Sequence, residues 1–324
     1  MIITRTPFRV SFVGGGSDLP AYYNNSQGSV VSASINKYVY INIHKSFNKE
    51  FRLSYSKTEH CSTVSQIEHP LIKNSLTLFD NIEPYEITSI SDIPSNGSGL
   101  GSSSSFTVGL INALAHQLGQ YKSKDEIADL ACKVELDLCK SPIGKQDQYA
   151  AAYGGFNNFE FTKSGVTRDK IYLSDDNFEN INQHCIFFYT GKGRSANKIL
   201  SNQTKRTNAK ENLNHLDKMV ELVPEFTSAL KSGSLKICGE LLNENWLLKK
   251  QLSDGITNSN FDDIYNIGIN NGAYGGKILG AGGGGFFLFM APPSSHTRIM
   301  KALNGLKREY WRFENVGTTK VYES

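Results

Sequence analysis

The pattern of polar and apolar residues predicts short β-strands in the first part of the chain. Residues 9–13 alternate between the two classes, which is the period of a strand with one buried face. Further strand-like runs cover 29–35, 38–43, 51–55 and 85–90. The first apolar stripe of helical period follows a run of serines and comprises Val108, Leu110, Ile111, Leu114, Ala115 and Leu118. The first part is therefore expected to be rich in strands, with its first helix after the serines.

Helix signals become frequent in the middle of the chain. Ser123 and Glu126 have the spacing of a capping box, an apolar stripe follows them, and Pro142 marks the end of that helix. The other elements predicted here are a short helix at 144–153 and strands at 156–161 and 185–189, which are separated by a polar connection.

After Gly191 the character of the sequence changes, because long amphipathic patterns replace the strand-like runs. The elements predicted there are helices at 209–223, 235–252 and 261–271, a strand at 286–290, a helix at 295–308 and a strand pair within 311–322. We therefore expect an α+β protein of two domains. The domain boundary is placed near residue 180, which divides the chain into 1–180 and 181–324.

The most informative stretch is Pro94–Phe106, in which three glycines at alternate positions run into four consecutive serines. Glycines let backbone N–H groups turn toward a ligand, and the first turn of a helix has N–H donors without internal partners. Because the helix dipole also favours negative charge there, this order of residues is typical of a phosphate-binding site. A serine-rich N-cap after a flexible turn is the alternative interpretation.

Two other glycine clusters do not fit a dinucleotide-binding motif. After Gly14-x-Gly16, Leu19 stands where a third glycine is required, and Pro20 interrupts the start of a helix. The loop 280–285 is followed by a strand instead of a helix. This loop is expected to be a surface on which backbones approach each other closely.

Composition excludes several classes of protein. The 324 residues carry a net charge of only +3, and the basic residues are scattered, so a nucleic-acid partner is not expected. The five cysteines lack the spacing of a zinc site or a disulfide framework. The amino terminus lacks the apolar core of a signal peptide, and no segment has the length of a membrane span. We expect a cytoplasmic protein that acts on a small anionic molecule and does not associate with a membrane.

Three segments resemble the motifs of the GHMP small-molecule kinases, a family that includes galactokinase and mevalonate kinase. Thr6–Asp18 resembles the first motif, Pro94–Ser104 the second, and Lys277–Gly285 the third. The three segments occur in the family's order and spacing. The resemblance implies an amino-terminal domain with the ribosomal-protein-S5-like fold, a ferredoxin-like carboxy-terminal domain, and an active site between them.

The resemblance also implies an ATP site with Mg²⁺. The matching positions of the second motif, which wraps the ATP phosphates in the family, are Gly97, Ser98, Gly99, Leu100, Gly101, Ser102, Ser103 and Ser104. Ser103 would offer its hydroxyl to the metal, and Glu135, at the edge of the apolar stripe of its helix, is the candidate carboxylate ligand. A half-exposed glutamate with no metal is the alternative for Glu135.

By the same resemblance, Asp147 and Arg9 are the catalytic candidates. Asp147 matches the aspartate of the family's G-x-x-D-Q segment, which lies beside the substrate hydroxyl as general base or electrostatic guide. Arg9 matches the basic residue of the first motif, which could hold Asp147 ionised. The alternatives are an aspartate that stabilises a helix start and an ordinary exposed arginine.

Substrate identity is expected to depend on the first motif. Asp18 matches an aspartate that binds sugar hydroxyls in the galactokinase branch, and Gly15, Gly16 and Ser17 precede it. Galactokinases carry larger side chains at the two glycine positions, so these glycines are expected to leave room for a bulkier or differently extended sugar.

The full motif resembles a branch of the family that phosphorylates the anomeric (C1) hydroxyl of D-glycero-D-manno-heptose 7-phosphate, whose product feeds nucleotide-heptose and surface-glycan synthesis. A substrate that already carries a phosphate requires a second anion site, and Lys192 and Arg194 in the basic turn after Thr190 are the candidates. A solvated basic turn is equally consistent with that segment. A fucose-type sugar 1-kinase and a non-catalytic sugar and ATP sensor are the alternative functions, and the chain could be a monomer or a homodimer.

Overall fold

The computed structural model describes residues 1–94, 97–191 and 196–324. Its strands are β1 (Ile2–Ser11), β2 (Gly28–Lys45), β3 (Phe51–Ser54), β4 (Thr58–Cys61), β5 (Tyr85–Ser91), β6 (Phe156–Thr162), β7 (Gly165–Lys170), β8 (Cys185–Tyr189), β9 (Gly275–Ile278), β10 (Phe286–Met290), β11 (Lys307–Glu309), β12 (Phe313–Glu314) and β13 (Thr319–Glu323). The expected mixture of strands and helices is confirmed.

The α-helices lie mostly in the second half. They are α1 (Pro20–Tyr23), α2 (Pro70–Leu76), α3 (Ser102–Gln117), α4 (Lys124–Cys132), α5 (Gln146–Tyr153), α6 (Asp175–His184), α7 (Ala196–Asn208), α8 (Leu213–Lys231), α9 (Leu235–Lys249), α10 (Ser259–Asn270) and α11 (Pro293–Ala302). Helix α4 continues into a π-helical segment, Lys133–Leu138. Within the described residues, no helix combines the length and the apolar character that crossing a membrane requires.

The long strand β2 organises the first sheet. One of its edges pairs antiparallel with β1, and the other pairs in succession with β6, β12 and β5. The sequence predicted two strands here, 29–35 and 38–43, separated by Asn36 and Lys37, and that prediction is wrong because one strand spans both. Asn36 continues the strand because its N–H donates to the carbonyl of Arg312 at 2.8 Å and its Oδ1 accepts from the Arg312 N–H at 2.8 Å.

The end of the chain returns to this first sheet. β13 pairs antiparallel with β1, and the hydroxyls of Thr6 and Thr318 share a hydrogen bond of 2.8 Å. The sheet therefore takes strands from both ends of the chain. The division into 1–180 and 181–324 stays a prediction. β1 and β13 lie on opposite sides of that boundary in the sequence, although they pair in one sheet.

The second sheet has the strand order β11-β8-β10-β9 within the described ranges, and all its pairings are antiparallel. Trp246 of α9 packs on this sheet, and the centroid of its ring lies 6.2 Å from the centroid of the Phe287 ring. Both side chains are fully buried. The helix predicted at 209–223 begins later, at Leu213, because Asn212 is buried and donates to the carbonyl of Leu252 at 3.0 Å.

Helix α3 crosses the first sheet at close range. Thr4 Oγ1 donates to the carbonyl of Gly109 at 2.8 Å, and a Cβ at Gly109 would lie 2.7 Å from Thr6 Oγ1. The absence of a side chain at Gly109 therefore lets α3 lie against β1. This packing fixes the start of α3, and with it the serine run, beside the end of β1.

Candidate active site

The start of α3 exposes backbone donors to a cavity between the two sheets. Gly99 and Gly101 adopt φ values of 75° and 76°, a left-handed conformation that glycine enters without strain. The first helical hydrogen bond is donated by Ser105 N–H to the Gly101 carbonyl at 2.9 Å. The N–H groups of Ser102 and Ser103 precede it, so they have no partner within the helix and can bind an anion.

The third glycine segment packs directly on this loop. A Cβ at Gly99 would lie 2.3 Å from the carbonyl oxygen of Leu279, and a Cβ at Gly285 would lie 2.4 Å from that of Ser98. No side chain fits at either position. The prediction that loop 280–285 is a surface of close backbone approach is confirmed, and its partner is the loop that precedes α3.

Arg9 and Asp147 form a bidentate ion pair beside the loop that precedes α3. Arg9 Nε donates to Asp147 Oδ1 and Arg9 Nη2 donates to Asp147 Oδ2, both at 2.7 Å, while Arg9 Nη1 donates to the Gly99 carbonyl at 2.7 Å. Arg9 is only 3% exposed, which excludes an ordinary surface arginine. The planar guanidinium therefore fixes the orientation of the carboxylate against the phosphate-binding loop.

Glu135 lies inside the protein, in the π-helical segment, and is 1% exposed. The alternative of a half-exposed side chain is therefore wrong. Gln148 Nε2 donates to Glu135 Oε2 at 2.6 Å. Burial raises the pKa of Glu135 to about 7, although the nearby side chains of Ser104, Ser103 and Gln148 act in the opposite direction.

The surroundings of Glu135 fit a hard cation. The carboxyl group lies beside the serine run, where the side chains of Ser103 and Ser104 act on it. A buried carboxylate and hydroxyl oxygens are the donors that Mg²⁺ takes, since this ion usually keeps several of its waters and binds few protein groups.

Asp18 faces the cavity from the first motif. Its Oδ1 accepts from Gly16 N–H at 3.0 Å, and its Oδ2 accepts from Gln146 N–H at 3.4 Å. A Cβ at Gly144 would lie 1.9 Å from Asp18 Oδ2, so glycine is needed there for the two segments to meet. Burial, and to a smaller degree the carboxylate of Asp147, raises the pKa of Asp18.

Ser17 does not reach the cavity, contrary to the substrate contact predicted for it. It is fully buried, and its Oγ donates to the Gly14 carbonyl at 2.8 Å and accepts from Ser29 N–H at 3.0 Å. These bonds hold the turn that carries Asp18. Leu100 is also fully buried, and its carbonyl accepts from the Arg9 N–H at 3.1 Å, so it supports the loop from below.

The structure also corrects the expectation that Gly16 leaves room for substrate. A Cβ at Gly16 would lie 2.6 Å from Gln203 Nε2, so the amide of Gln203 already occupies that space. Gln203 is 1% exposed, lines the cavity, and its Nε2 has no hydrogen-bond partner among the described residues. A buried donor without a partner is costly, which is a reason to expect a ligand acceptor there.

Lys249, at the end of α9, is a second cavity residue that the sequence did not single out. It is 5% exposed, and a Cβ at Gly15 would lie 3.7 Å from its Nζ and 3.9 Å from Gln146 Nε2. Lys249 forms no ion pair with the residues that the structure describes. Burial lowers its pKa to about 8, although the negative charge of Asp18 raises it. Its ammonium group can therefore bind a ligand oxygen.

Lys277, in the third motif, has a structural role instead. It is fully buried, and its Nζ donates to the carbonyls of Ser11 and Phe12 at 2.9 Å each. Burial lowers the pKa of Lys277 well below its usual value. These two bonds tie the end of β1 to β9, and so hold the first motif against the third.

Two cavities meet at the serine run. The first, of about 190 Å³, is lined by residues that include Arg9, Asp18, Ser103, Asp147 and Lys249. The second, of about 720 Å³, shares Ser102 and Ser103 with it and is walled by the rings of Tyr55, His69 and Phe106. A charged cavity on one side of the serine run thus adjoins an aromatic cavity on the other.

Lys192 and Arg194, the predicted second anion site, lie outside the described residues. The predicted residues that come together are carried by β1, the turn after it, the loop before α3, the start of α3, the π-helical segment and α5. The charged cavity is lined by Arg9, Gly16, Asp18, Gly97, Ser98, Gly99, Gly101, Ser102, Ser103 and Asp147 among the predicted residues, whereas Gly15 lies against Lys249.

Comparison with known proteins shows the family to which the chain belongs. The family description "GHMP kinases N terminal domain" matches residues 69–155, and "GHMP kinases C terminal" matches 226–309, which together make more than half of the chain. The chain belongs to the GHMP kinase family. GHMP kinases are phosphotransferases that take the phosphoryl group from ATP and pass it to a hydroxyl group, and the predictions of a kinase and of an ATP donor are confirmed.

Individual GHMP kinases resemble the chain over most of its length. D-glycero-alpha-D-manno-heptose 7-phosphate kinase of Campylobacter jejuni is 29% identical over 315 residues, which are 93% of each protein. L-fucokinase/L-fucose-1-P guanylyltransferase of Bacteroides fragilis is 27% identical over 92% of this chain but only 35% of its own length. The crystal structure of a D-glycero-D-manno-heptose 1-phosphate kinase from Bacteroides thetaiotaomicron shares the fold, with a TM-score of 0.84 over 100% of both chains at 23% identity.

Proposed function

We propose that the chain transfers the γ-phosphoryl group of ATP to the C1 hydroxyl of D-glycero-D-manno-heptose 7-phosphate, giving the 1,7-bisphosphate. The observation that carries this proposal is the Asp147 carboxylate, which Arg9 holds at 2.7 Å beside the phosphate-binding loop. A hydroxyl bound to the free face of this carboxylate would stand in front of a nucleotide phosphate. The similarity to the Campylobacter jejuni enzyme supports the choice of sugar.

The proposed nucleotide position uses both cavities. The N–H groups of Ser102 and Ser103 would hold the phosphates. The aromatic cavity that shares these residues would hold the base against the wall that Tyr55, His69 and Phe106 form. Ser103 and Glu135 would hold Mg²⁺, which neutralises charge on the transferred group.

Polar groups without partners support a sugar as the acceptor. Gln146, Gln203 and Lys249 line the cavity beside Asp18 and Asp147, and Gln203 Nε2 and Gln146 Oε1 have no hydrogen-bond partner among the described residues. A molecule rich in hydroxyls can satisfy donors and acceptors together, which an apolar acceptor cannot do. Asp147 would orient the C1 hydroxyl and accept its proton, while Asp18, Gln203 and Lys249 would bind the neighbouring hydroxyls.

The direct test is an assay of ADP release with heptose, mannose, fucose and galactose, each with and without a terminal phosphate. We expect the highest kcat/KM with heptose 7-phosphate. A preference for unphosphorylated fucose would support the function of the fucokinase relative instead. Binding of sugar and nucleotide without ADP release would contradict catalysis by this chain.

Lys249 gives a prediction about substrate affinity and pH. Lys249→Met is expected to raise the KM for the acceptor sugar about tenfold, because a charge-assisted hydrogen bond is lost, and to leave the KM for ATP unchanged. The pKa of Lys249 is about 8, so its ammonium form predominates below that pH. The acceptor KM of the unmodified protein should therefore rise as pH increases through 8, and this rise should be absent from the variant.

The matched control is Lys236→Met, which removes an exposed lysine from the same helix. It should behave like the unmodified protein at every pH. A rise in acceptor KM through pH 8 that persists in Lys249→Met would assign the titration to another group.

A further inference from the structure

A third cavity, of about 610 Å³, opens beside the charged cavity at Asp147. Leu19 and Ile143 line both cavities, so the two cavities are neighbours on either side of these side chains. The remaining walls come from α1, from the junction of α4 with the π-helical segment, from the loop before α5 and from α7. The proposed function uses none of these other walls.

The walls of this third cavity carry positive side chains. Lys133, Lys145 and Lys205 line it, and none of them forms an ion pair within the described ranges. Lys145 is half-buried, with its Nζ 5.1 Å from the centre of the Tyr23 ring, which restricts its position. Three unpaired ammonium groups around one cavity favour an anionic ligand.

Hydroxyl donors and carboxylates complete the lining. Ser201 and Thr204 of α7 are half-buried and project into the cavity beside Lys205. Two carboxylates, Asp129 and Asp137, also line it, but Asp129 accepts a hydrogen bond from the Tyr149 hydroxyl. Positive charges outnumber negative ones, and the hydroxyls add donors that suit a phosphate.

The chain connects this cavity to the reacting carboxylate. Lys145 precedes Asp147 by two residues, and its N–H donates to the Asp18 carbonyl at 3.3 Å. The charged cavity measures only about 190 Å³, below the usual range for a small-molecule site. A long acceptor with one end at Asp147 must therefore extend out of it, and the third cavity, which Lys145 lines, adjoins it across Leu19 and Ile143.

We propose that the third cavity binds a phosphomonoester at the end of the acceptor distant from its reacting hydroxyl. Lys145 and Lys205 bind the phosphate oxygens, and Ser201 and Thr204 donate hydrogen bonds to them. Lysine is a compact charge on a flexible stem, which suits a phosphate that arrives on substrates of slightly different length. This inference rests on the proposed function, because it assumes an acceptor with a phosphate at its far end.

The test compares a phosphorylated acceptor with its unphosphorylated form, using the full chain and the double variant Lys145→Met with Lys205→Met. The KM for heptose 7-phosphate should rise about 100-fold, with about tenfold from each lysine, while the KM for ATP and turnover of unphosphorylated heptose stay the same. Lys145→Arg with Lys205→Arg should restore most of the affinity, because the charge is kept. Lys198→Met, an exposed lysine of α7 that lines neither cavity, is the matched control and should have no effect.

A second measurement does not depend on catalysis. Inorganic phosphate is titrated calorimetrically into the full chain saturated with ADP and Mg²⁺, which occupy the loop before α3. We expect phosphate binding that the double Met variant loses and Lys198→Met keeps. Equal phosphate binding by the unmodified protein and the double variant would overturn the proposed subsite.

The two measurements separate the possible failures. If phosphate binding depends on the lysines but the KM for heptose 7-phosphate does not, the cavity takes free phosphate and the proposal about the acceptor is wrong. If no sugar is phosphorylated while phosphate binding still depends on the lysines, the proposed function fails, and the proposal about its acceptor fails with it. If heptose 7-phosphate is turned over with equal KM by both proteins, the function stands and the subsite is refuted.

Discussion

Asp147→Asn is expected to lower kcat by about a thousandfold, within the range that positioned acid–base groups contribute. Asparagine has nearly the same shape but carries no charge, so it cannot form the ion pair that Arg9 makes through Nε and Nη2. It also cannot take the proton of the acceptor hydroxyl. Binding of ATP should change little, because the loop before α3 remains intact. The measurements are steady-state turnover and nucleotide affinity by calorimetry.

The control for this variant is Asp176→Asn. Asp176 also lies in the first turn of a helix, α6, so both substitutions remove the same favourable charge from a helix start. Asp176→Asn should keep normal turnover. If Asp147→Asn also kept turnover within a few-fold of normal, the role of Asp147 would be only to stabilise the start of its helix.

Glu135→Gln is expected to raise the Mg²⁺ concentration needed for half-maximal activity by about 100-fold, since even indirect metal contacts contribute tenfold to a hundredfold in affinity. The amide keeps the size of the side chain but replaces a charged ligand with a neutral one. Gln148 lies at 2.6 Å and can bond to the amide oxygen, so the fold should tolerate the change. Activity and binding of ADP are both titrated with Mg²⁺.

Glu244→Gln, which changes an exposed glutamate of α9 in the same way, is the matched control. It should give the magnesium curve of the unmodified protein. Coincident curves for Glu135→Gln and the unmodified protein would remove Glu135 from the metal site.

Sequence reasoning identified the residues of the site whose local pattern is distinctive. Glycine before a helix start, as at Gly99 and Gly101, has a conformational cause that can be recognised without a structure. The pairing of Arg9 with Asp147 came from the family resemblance, and the structure supplies the contact. The burial of Glu135 could not be deduced, because a π-helical segment shifts the register of the apolar stripe.

Lys249 and Gln203 were missed for a physical reason. Lys249 ends a helix, where lysine is common because it interacts favourably with the helix dipole. Its burial depends on packing of α9 against segments more than two hundred residues earlier, such as the turn at Gly15. Gln203 belongs to α7, whose residues are mostly polar, so nothing in the sequence distinguishes it from its exposed neighbours. Only the tertiary structure shows that both face Asp18 and Asp147.

The same limit applies to the fold. The region between β6 and β8 was expected to be a polar connection, but it contains β7 and α6. β7 has no buried residue, and Ile181 is the buried residue within α6, so both elements consist mainly of polar residues. A polar composition is also typical of a loop, so the sequence predicts a connection in place of the two elements.

The return of β13 to β1 has a consequence for synthesis on the ribosome. Thr6 of β1 and Thr318, which directly precedes β13, are 312 residues apart, yet their hydroxyls share a hydrogen bond. β1 emerges early but must wait for nearly the whole chain before its outer edge is covered. Contacts between such distant segments form slowly, and an uncovered strand edge invites pairing with another chain. A nascent chain shortened before β13 should therefore depend on chaperones that shield strand edges, although it already holds Arg9 and Asp147.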